Sequence, residues 1–238
     1  MISNARDAAR ATLPDSVLDL SGRYVELKPI DAASLFAIPS STYLRLVKPM
    51  VDRLVGVVAL LVAVPVLVMV GLAVWLAMDF PVLLGQERVG RHGRVFRMWK
   101  FRTMEEDRRR HQMNWVGEDR RKTHKSAADP RITKLGRFLR ATRLDELPQF
   151  INVAKGDISL VGPRPELVSV VADYEPWQHR RHAVKPGITG LWQISDRGDK
   201  LLKDCTELEL EYLDSVSFVT DVRILARTVP ALMRRSGI

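Results

Sequence analysis

Hydrophobic positions in this chain form one unbroken block and several short periodic runs. From Leu54 to Met78 no residue is charged and 22 of 25 are apolar, Gly56, Pro65 and Gly71 being the exceptions. Such a block is read first as membrane-embedded, because a straight helix of that length covers ~37 Å against a hydrocarbon core of ~30 Å. Pro65 stands near its middle, removes a backbone donor and crowds the preceding turn, so a bend is expected there. Further on, Val82–Val89 and Arg94–Lys100 are extended runs separated by Gly90-Arg91-His92-Gly93, which predicts a hairpin. Thr103 and Glu106 have capping-box spacing and predict a charged helix to about Lys122. Ile132, Leu135, Phe138 and Leu139 mark a short amphipathic helix, and Leu147, Phe150, Ile151 and Val153 mark another over Glu146–Ala154, closed by Gly156. Asp157–Pro165 and Lys185–Gly190 read as turn-rich loops, and two helices over about 199–214 and 219–235 finish the chain. Residues 1–42 show no sustained period and read as a partly disordered N-terminal extension.

Composition narrows the class. Of 238 residues 46% are apolar, enough for a globular core beside the block. The single Cys205 excludes an intrachain disulfide framework and a thiolate zinc cluster. One apolar block cannot line a transport pathway, and its start some fifty residues into the chain does not suit a secretory signal. The expected class is α+β, mostly helical with a small β-hairpin.

Charge sharpens the membrane reading. The formal net charge is +9, and residues 79–143 hold 18 basic against 8 acidic side chains. A basic stretch beside a membrane segment fits anionic lipid and phosphorylated ligands; the competing reading is a nucleic-acid patch. Basic residues flank the block on both sides, Arg45, Lys48 and Arg53 before it and Arg88, Arg91, Arg94, Arg97, Lys100 and Arg102 after it. If basic flanks stay cytoplasmic, both ends want one side of the membrane. A re-entrant helix–break–helix in one leaflet satisfies both, and a simple span is the alternative.

The chain contains no phosphate-cradling loop ending in Gly-Lys-Ser/Thr, no Gly-x-Gly-x-x-Gly, no Gly-x-Ser-x-Gly and no Asp-x-Asp pair. His179 and His182, in Gln178-His179-Arg180-Arg181-His182, read as a solvated or lipid-facing polar turn. Glu207, Glu209 and Glu211 read as a solvated helix. Three stretches carry candidate chemistry. In Arg140-Ala141-Thr142-Arg143-Leu144-Asp145-Glu146-Leu147-Pro148, proline is tolerated only in a first helical turn, so Asp145 falls at or beside an N-cap. The pair either caps that helix or, with nearby arginines, holds a phosphate–metal complex. In Gly156–Pro165, Pro163 and Pro165 stiffen the loop around Arg164, whose fork suits a phosphate, although a plain turn is equally consistent. In Lys185–Gln193, Gly187 and Gly190 permit close backbone approach, while Thr189 and Gln193 are polar readers; a tight turn is the plainer reading.

Together these stretches resemble the bacterial sugar transferases that are monotopic phosphoglycosyl transferases. The resemblance runs from about Tyr43 to Leu232. In order it covers the proline-broken block, Gln86-Glu87-Arg88-Val89-Gly90, Lys100-Phe101-Arg102-Thr103-Met104, Asp129-Pro130-Arg131-Ile132-Thr133, Leu144-Asp145-Glu146-Leu147-Pro148-Gln149, Gly156–Pro165 and Lys185–Gln193. No single piece is diagnostic; their order is. It implies Asp145 as a nucleophile forming a phosphosugar-aspartyl intermediate, and Glu146 as its partner and the Mg²⁺ ligand. Lys100, Arg140, Asp157, Arg164, Lys185 and Thr189 are implied on the phosphate and substrate side. The implied reaction moves a sugar 1-phosphate from a UDP-sugar, with glucose or galactose favoured by Leu191-Trp192-Gln193, to polyprenyl phosphate, initiating exopolysaccharide or glycoconjugate synthesis.

On this resemblance residues 43–80 associate with the membrane through a re-entrant hairpin, and 81–238 form a catalytic domain on the cytoplasmic face of the plasma (inner) membrane. The implied partners are the UDP-sugar donor, the polyprenyl phosphate acceptor and anionic membrane lipid; a homodimer is compatible and nucleic acid is not expected. The segment Asp196-Arg197-Gly198-Asp199 has aspartate where many relatives have glycine. The alternative function is a membrane-anchored nucleic-acid-binding or scaffold protein using the basic 79–143 segment, with Phe96, Trp99, Phe101, Trp115 and Phe138 as its stacking aromatics.

Overall fold

The computed structural model describes residues 16–18, 24–26, 41–105, 131–195 and 206–234. Strands β1 (Ser16–Leu18) and β2 (Tyr24–Glu26) pair antiparallel. A π-helical turn, Tyr43–Val47, leads into α1 (Lys48–Met78), which takes up the whole apolar block. Helical backbone continues through Pro65, so the expected helix–break–helix is not seen as an interruption of the helix.

The stripe of α1 that faces the protein contains Asp52, Gly56, Val70, Val74 and Met78, while Met50, Leu54, Leu61, Val62, Val68 and Leu76 stay exposed. The helix passes the length and composition test for crossing a membrane. An exposed apolar ridge of this extent marks a surface that water does not normally cover.

The predicted hairpin is present. Strands β3 (Leu83–Val89) and β4 (Val95–Phe101) pair antiparallel over their full length, around a 3₁₀ turn at Arg91–Gly93. Thr103–Glu105 is not helical. Met104 bridges Ile132 instead, and the remainder of the helix expected to Lys122 lies outside the described residues.

Helix α2 (Lys134–Ala141) is capped by Thr133, whose hydroxyl accepts from the Gly136 amide at 2.9 Å. This satisfies one of the amides that a helix start leaves open. Helix α3 (Gln149–Lys155) ends in Gly156 at φ +83, as the sequence suggested, but begins three residues later than expected. Beyond it lie β5 (Ser159–Val161), β6 (Glu166–Leu167), α4 (Val168–Val171), a 3₁₀ segment at Pro176–Ala183, β7 (Gly187–Thr189) and α5 (Leu191–Ile194). Helices α6 (Thr206–Ser215) and α7 (Phe218–Arg234) close the described chain. The architecture is mostly helical with small sheets, β6 joining the β3–β4 hairpin as a third strand.

The two segments read as loops in fact pair with each other: β5 and β7 are parallel, with Ser159 opposite Gly187 and Val161 opposite Thr189. Their glycines explain the pairing. A methyl group at Gly187 would lie 2.1 Å from the Gly162 amide, and one at Gly190 would lie 2.2 Å from the Gly162 carbonyl oxygen. Side chains there would force the backbones apart, so these glycines serve chain-to-chain approach.

Both ends of α1 rest on this body. At its start, Lys48 Nζ meets Asp221 Oδ2 at 2.5 Å, and Asp221 Oδ1 also accepts from the Tyr212 hydroxyl at 2.8 Å. One turn later Asp52 accepts from Ser159 Oγ at 2.6 Å and from the Leu160 amide at 3.2 Å. At its end, Val70, Val74 and Met78 share a core with Phe101 and Leu139, and Arg102 donates to the Met78 carbonyl at 3.1 Å. Each such apolar side chain contributes roughly 1.5–3 kcal/mol by leaving water. Lys48 and Arg102, counted as flanking charges on the sequence, are therefore buried in protein contacts.

Asp221→Ala removes the near partner of the buried Lys48 ammonium and leaves it only Asp52 Oδ2, 4.0 Å away. The expected loss is about 3–5 kcal/mol of stability, the usual cost of removing one partner of a buried ion pair. Denaturant unfolding of the full chain in mild detergent measures it; a loss below ~1 kcal/mol would show that water reaches Lys48.

Candidate active site

Asp145 and Glu146 do not cap α3. They occupy a separate 3₁₀ turn, Leu144–Glu146, entered through Arg143 in the left-handed region at φ 60. Pro148 precedes Gln149 as the capping residue of α3, and no side-chain cap is made there. The sequence-level alternative of a simple helix cap is thus not realised. Asp145 is buried, and Leu144 packs on the core that α1 shares with Phe101 and Leu139. The acid turn therefore sits beside the second half of the apolar helix.

Glu146 of this turn lies within electrostatic reach of a basic cluster whose centre, Arg88, the sequence reading did not single out. Arg88, on β3, is buried; it donates to the Pro165 carbonyl at 3.1 Å and to Gln86 Oε1 at 2.7 Å. Gln86 Oε1 also accepts from Lys100 Nζ at 3.2 Å, across the hairpin. Burial lowers Arg88 to about 10; the nearby charge of Arg164 acts in the same direction, while Glu166 and Glu146 oppose it. Its Nε is buried without an acceptor among the described residues. The motif Gln86–Gly90 was visible in the sequence, but nothing in it separated Arg88 from the other basic residues of the strand.

Arg164 is held from behind by its own backbone. Its amide donates to Glu209 Oε1 at 2.6 Å, and its carbonyl accepts from Arg181. Arg181 and Glu209 form an ion pair at 2.5 Å with both side chains 1% exposed. This corrects two readings: Glu209 does not lie on a solvated face, and the His179–His182 segment is buried rather than a solvated turn. The Tyr174 hydroxyl oxygen accepts a hydrogen bond from Arg181, and the three rings of Tyr174, His179 and His182 pack together. The Arg164 guanidinium lies over Trp192, 5.4 Å from the ring centroid, and no acceptor among the described residues reaches it. Stacking fixes the plane of the fork while leaving its donors for an anion.

The other predicted residues are spread more widely. Arg140 donates through Nε to Thr103 Oγ1 at 2.9 Å, at the exit of β4. Asp157 accepts from Asn152 Nδ2 at 3.0 Å. The same amide group donates to the Arg97 carbonyl at 2.8 Å, and Asn152 Oδ1 accepts from the Trp99 amide at 3.1 Å, so this pair fastens α3 to the strand that carries Lys100. Thr189 pairs with Thr228 of α7 at 2.8 Å. Lys185 lies near Gly156, at the opposite end of α3 from Asp145. Glu146 and Arg164 thus lie within electrostatic reach of Arg88 and Lys100 is joined to it through Gln86, with Asp145 beside Glu146 in the same turn, whereas Asp157 and Lys185 lie at the far end of α3 and Thr189 on β7. Asp196–Asp199 is outside the described residues.

Among the described residues no three His, Cys, Asp or Glu side chains cluster as a metal cage. The acid turn offers adjacent carboxylates, hard oxygen donors of the type Mg²⁺ takes when substrate phosphates and water complete its shell. The arrangement is chemically a carboxylate pair facing fixed cations, suited to a polyanionic phosphoryl substrate.

Comparison with known proteins gives the same direction. The sequence model for the bacterial sugar transferase family matches residues 43–235. The galactosyl transferase CpsE of Streptococcus agalactiae is 42% identical over 160 residues, 66% of this chain and 36% of the relative. The UDP-glucose:undecaprenyl-phosphate glucose-1-phosphate transferase of Escherichia coli is 38% identical over 218 residues, 88% of this chain and 45% of the relative. The exopolysaccharide production protein ExoY of Sinorhizobium fredii is 33% identical over 192 residues, 78% and 85%. The chain therefore spans less than half the length of the first two.

The buried imidazoles set a pH dependence. Burial, reinforced by Arg181, pulls His179 down to about 4 from its ordinary 6.5, and His182 well below it. With the folded pKa depressed, the unfolded chain takes up protons first. Stability from these rings is full above pH ~6.5 and is lost as pH falls toward 4, by up to ~1.4 kcal/mol per pH unit for each ring. Melting temperature between pH 7.5 and 5 should fall accordingly, and His179→Gln should flatten the slope. An unchanged slope would show that the ring is solvated.

Proposed function

The chain belongs to the bacterial sugar transferase family, and on that footing we propose that it transfers a hexose 1-phosphate from a UDP-sugar to polyprenyl phosphate, releasing UMP. The observation that carries the reading is the buried acid turn Leu144–Glu146 set against Arg88, Lys100 and Arg164.

In this reading a carboxylate oxygen of Asp145 attacks the donor's β-phosphorus. The bond from that phosphorus to the bridging oxygen breaks, and UMP departs with the electron pair. The sugar phosphate stays esterified to Asp145. An oxygen of polyprenyl phosphate then attacks the same phosphorus, the bond to Asp145 breaks, and the carboxylate is restored with release of polyprenyl-diphosphate-sugar. Such a transfer needs charge neutralisation and alignment above all. Arg88, Lys100, Arg140 and Arg164 supply fixed positive charge, and the Arg181–Glu209 pair keeps Arg164 in place between turnovers. Glu146, with the donor's diphosphate, would hold Mg²⁺, which when bound neutralises further charge. The double displacement lets a soluble donor and a lipid acceptor use one site in turn.

The re-entrant topology is part of the proposal. A crossing helix would carry its two ends to opposite faces, whereas Lys48 and Asp52 at one end and Val70–Met78 at the other pack on the same body. This favours entry and exit at one face, the cytoplasmic face of the inner membrane, where a UDP-sugar is available. The glucose- and galactose-transferring names of two relatives support a hexose donor, and ExoY supports a place at the start of exopolysaccharide synthesis. The nucleic-acid alternative loses support because Arg88 and Arg102, within its basic segment, are buried in protein contacts.

Asp145→Asn is expected to lower UMP release by roughly 10³-fold or more, the scale seen when a covalent nucleophile is removed. The assay uses UDP-glucose or UDP-galactose with polyprenyl phosphate and Mg²⁺. Mass spectrometry without acceptor should find a hexose-phosphate adduct on Asp145. Turnover at the unaltered rate by the variant would overturn the assignment.

A further inference from the structure

Gly156, the left-handed cap of α3, is the meeting point of two cations that the reaction above does not use. A methyl group built there would lie 2.9 Å from Arg53 Nε, 3.0 Å from Arg53 Nη2 and 3.3 Å from Lys185 Nζ. A guanidinium from α1 and an ammonium from the segment before β7 therefore converge on one spot. Neither has an acceptor among the described residues. The carboxylates nearest in charge are already engaged: Asp157 with Asn152, and Asp52 with Ser159 and the Leu160 amide. Like charges this close repel, and burial together with Arg53 and Arg91 holds the Lys185 ammonium below the ordinary lysine range, although the charges of Asp52 and Asp157 act the other way. Two convergent, unpaired cations form a stable arrangement when an anion with several oxygens bridges them. The guanidinium supplies a planar fork and the ammonium a movable point charge, a pairing that fits a tetrahedral phosphate.

The position along the chain says where that phosphate comes from. Arg53 is the last charged residue before the uncharged block Leu54–Met78, so it marks the level at which α1 meets lipid head groups. Asp145 lies across the length of α3, ~10 Å for seven helical residues, at the other end. We propose that Arg53 and Lys185 form a second anion site, separate from Asp145, that binds a phosphate group presented at the membrane surface. It rests on the proposed reading only for the placement of α1 at the membrane, not for the reaction.

The test follows the Lys185 amine. Full-length protein in phosphatidylcholine nanodiscs is treated with acetic anhydride, and the acylation rate of Lys185 is read by mass spectrometry against exposed Lys134. One arm adds phosphatidic acid to the disc and another adds inorganic phosphate to the buffer. A bound phosphate covers the amine and raises its pKa, and each unit of that rise slows acylation about tenfold. Slowing by phosphatidic acid alone identifies a lipid head group as the occupant. Slowing by inorganic phosphate as well identifies a site for the phosphate group from either source. Arg53→Gln should abolish the protection with the melting temperature unchanged. No selective slowing of Lys185 in either arm, or protection that survives Arg53→Gln, overturns the proposal. Asp145→Asn should keep the protection while losing UMP release, so failure of the anion site and failure of the reaction appear in different measurements.

Discussion

The buried ion pair between Lys48 and Asp221 is the constraint on which the rest of this structure turns. An apolar helix has no preferred depth against a polar body unless something at its end refuses to slide. Lys48 refuses because its ammonium is out of water and has one good partner, which Tyr43 and Tyr212 also hold. Asp52, a turn later, fixes the rotation of the helix by grasping Ser159 and the Leu160 amide. Burying two charges is costly and is recovered only with close geometry and extra hydrogen bonds, which this cluster supplies. With rotation and register set at the entrance, Val70, Val74 and Met78 arrive opposite Phe101 and Leu139, and Leu144 settles beside them. The position of Asp145 follows from that chain of contacts.

Around the acid turn the protein arranges cations before any substrate arrives. Arg88 is buried against its neighbours, Lys100 is tied to it through Gln86, and Arg164 is gripped by its backbone and stacked on Trp192. Like charges brought together in this way are costly in the resting protein; burial adds to that cost, and Glu146, Glu166 and the Arg181–Glu209 pair offset it. The same preorganisation lowers the cost of meeting a developing negative charge, since few side chains must reorient.

Much of this was legible in the sequence, for physical reasons. The hairpin, α2, α3 and the closing helices are local features, announced by glycine punctuation and apolar period. The ordered motifs named Lys100, Arg140, Asp145, Glu146, Asp157, Arg164, Lys185 and Thr189 as one set, without separating those near Arg88 from those at the far end of α3. What was not legible depends on distant partners. Glu209 and Arg181 look solvated in a charged helix and a polar turn, and only folding places them together. Lys48 looks like a membrane-flanking cation until Asp221, 173 residues away, accepts it. The parallel pairing of β5 and β7 joins two three-residue strands that carry no alternation of their own. Asp145 read as a possible cap because proline marks a helix start, and the separate 3₁₀ turn left no local signal.

The core shared by Val70, Val74 and Met78 with Phe101 and Leu139 also bears on how such a protein can evolve. A mere tether could be exchanged for any other greasy segment, or lost altogether, with the remainder intact. Here removal of the helix would open the floor beneath Leu144 and expose aromatic and aliphatic surface. The apolar helix and the polar body are in this sense one module, neither of which keeps its packed surface without the other.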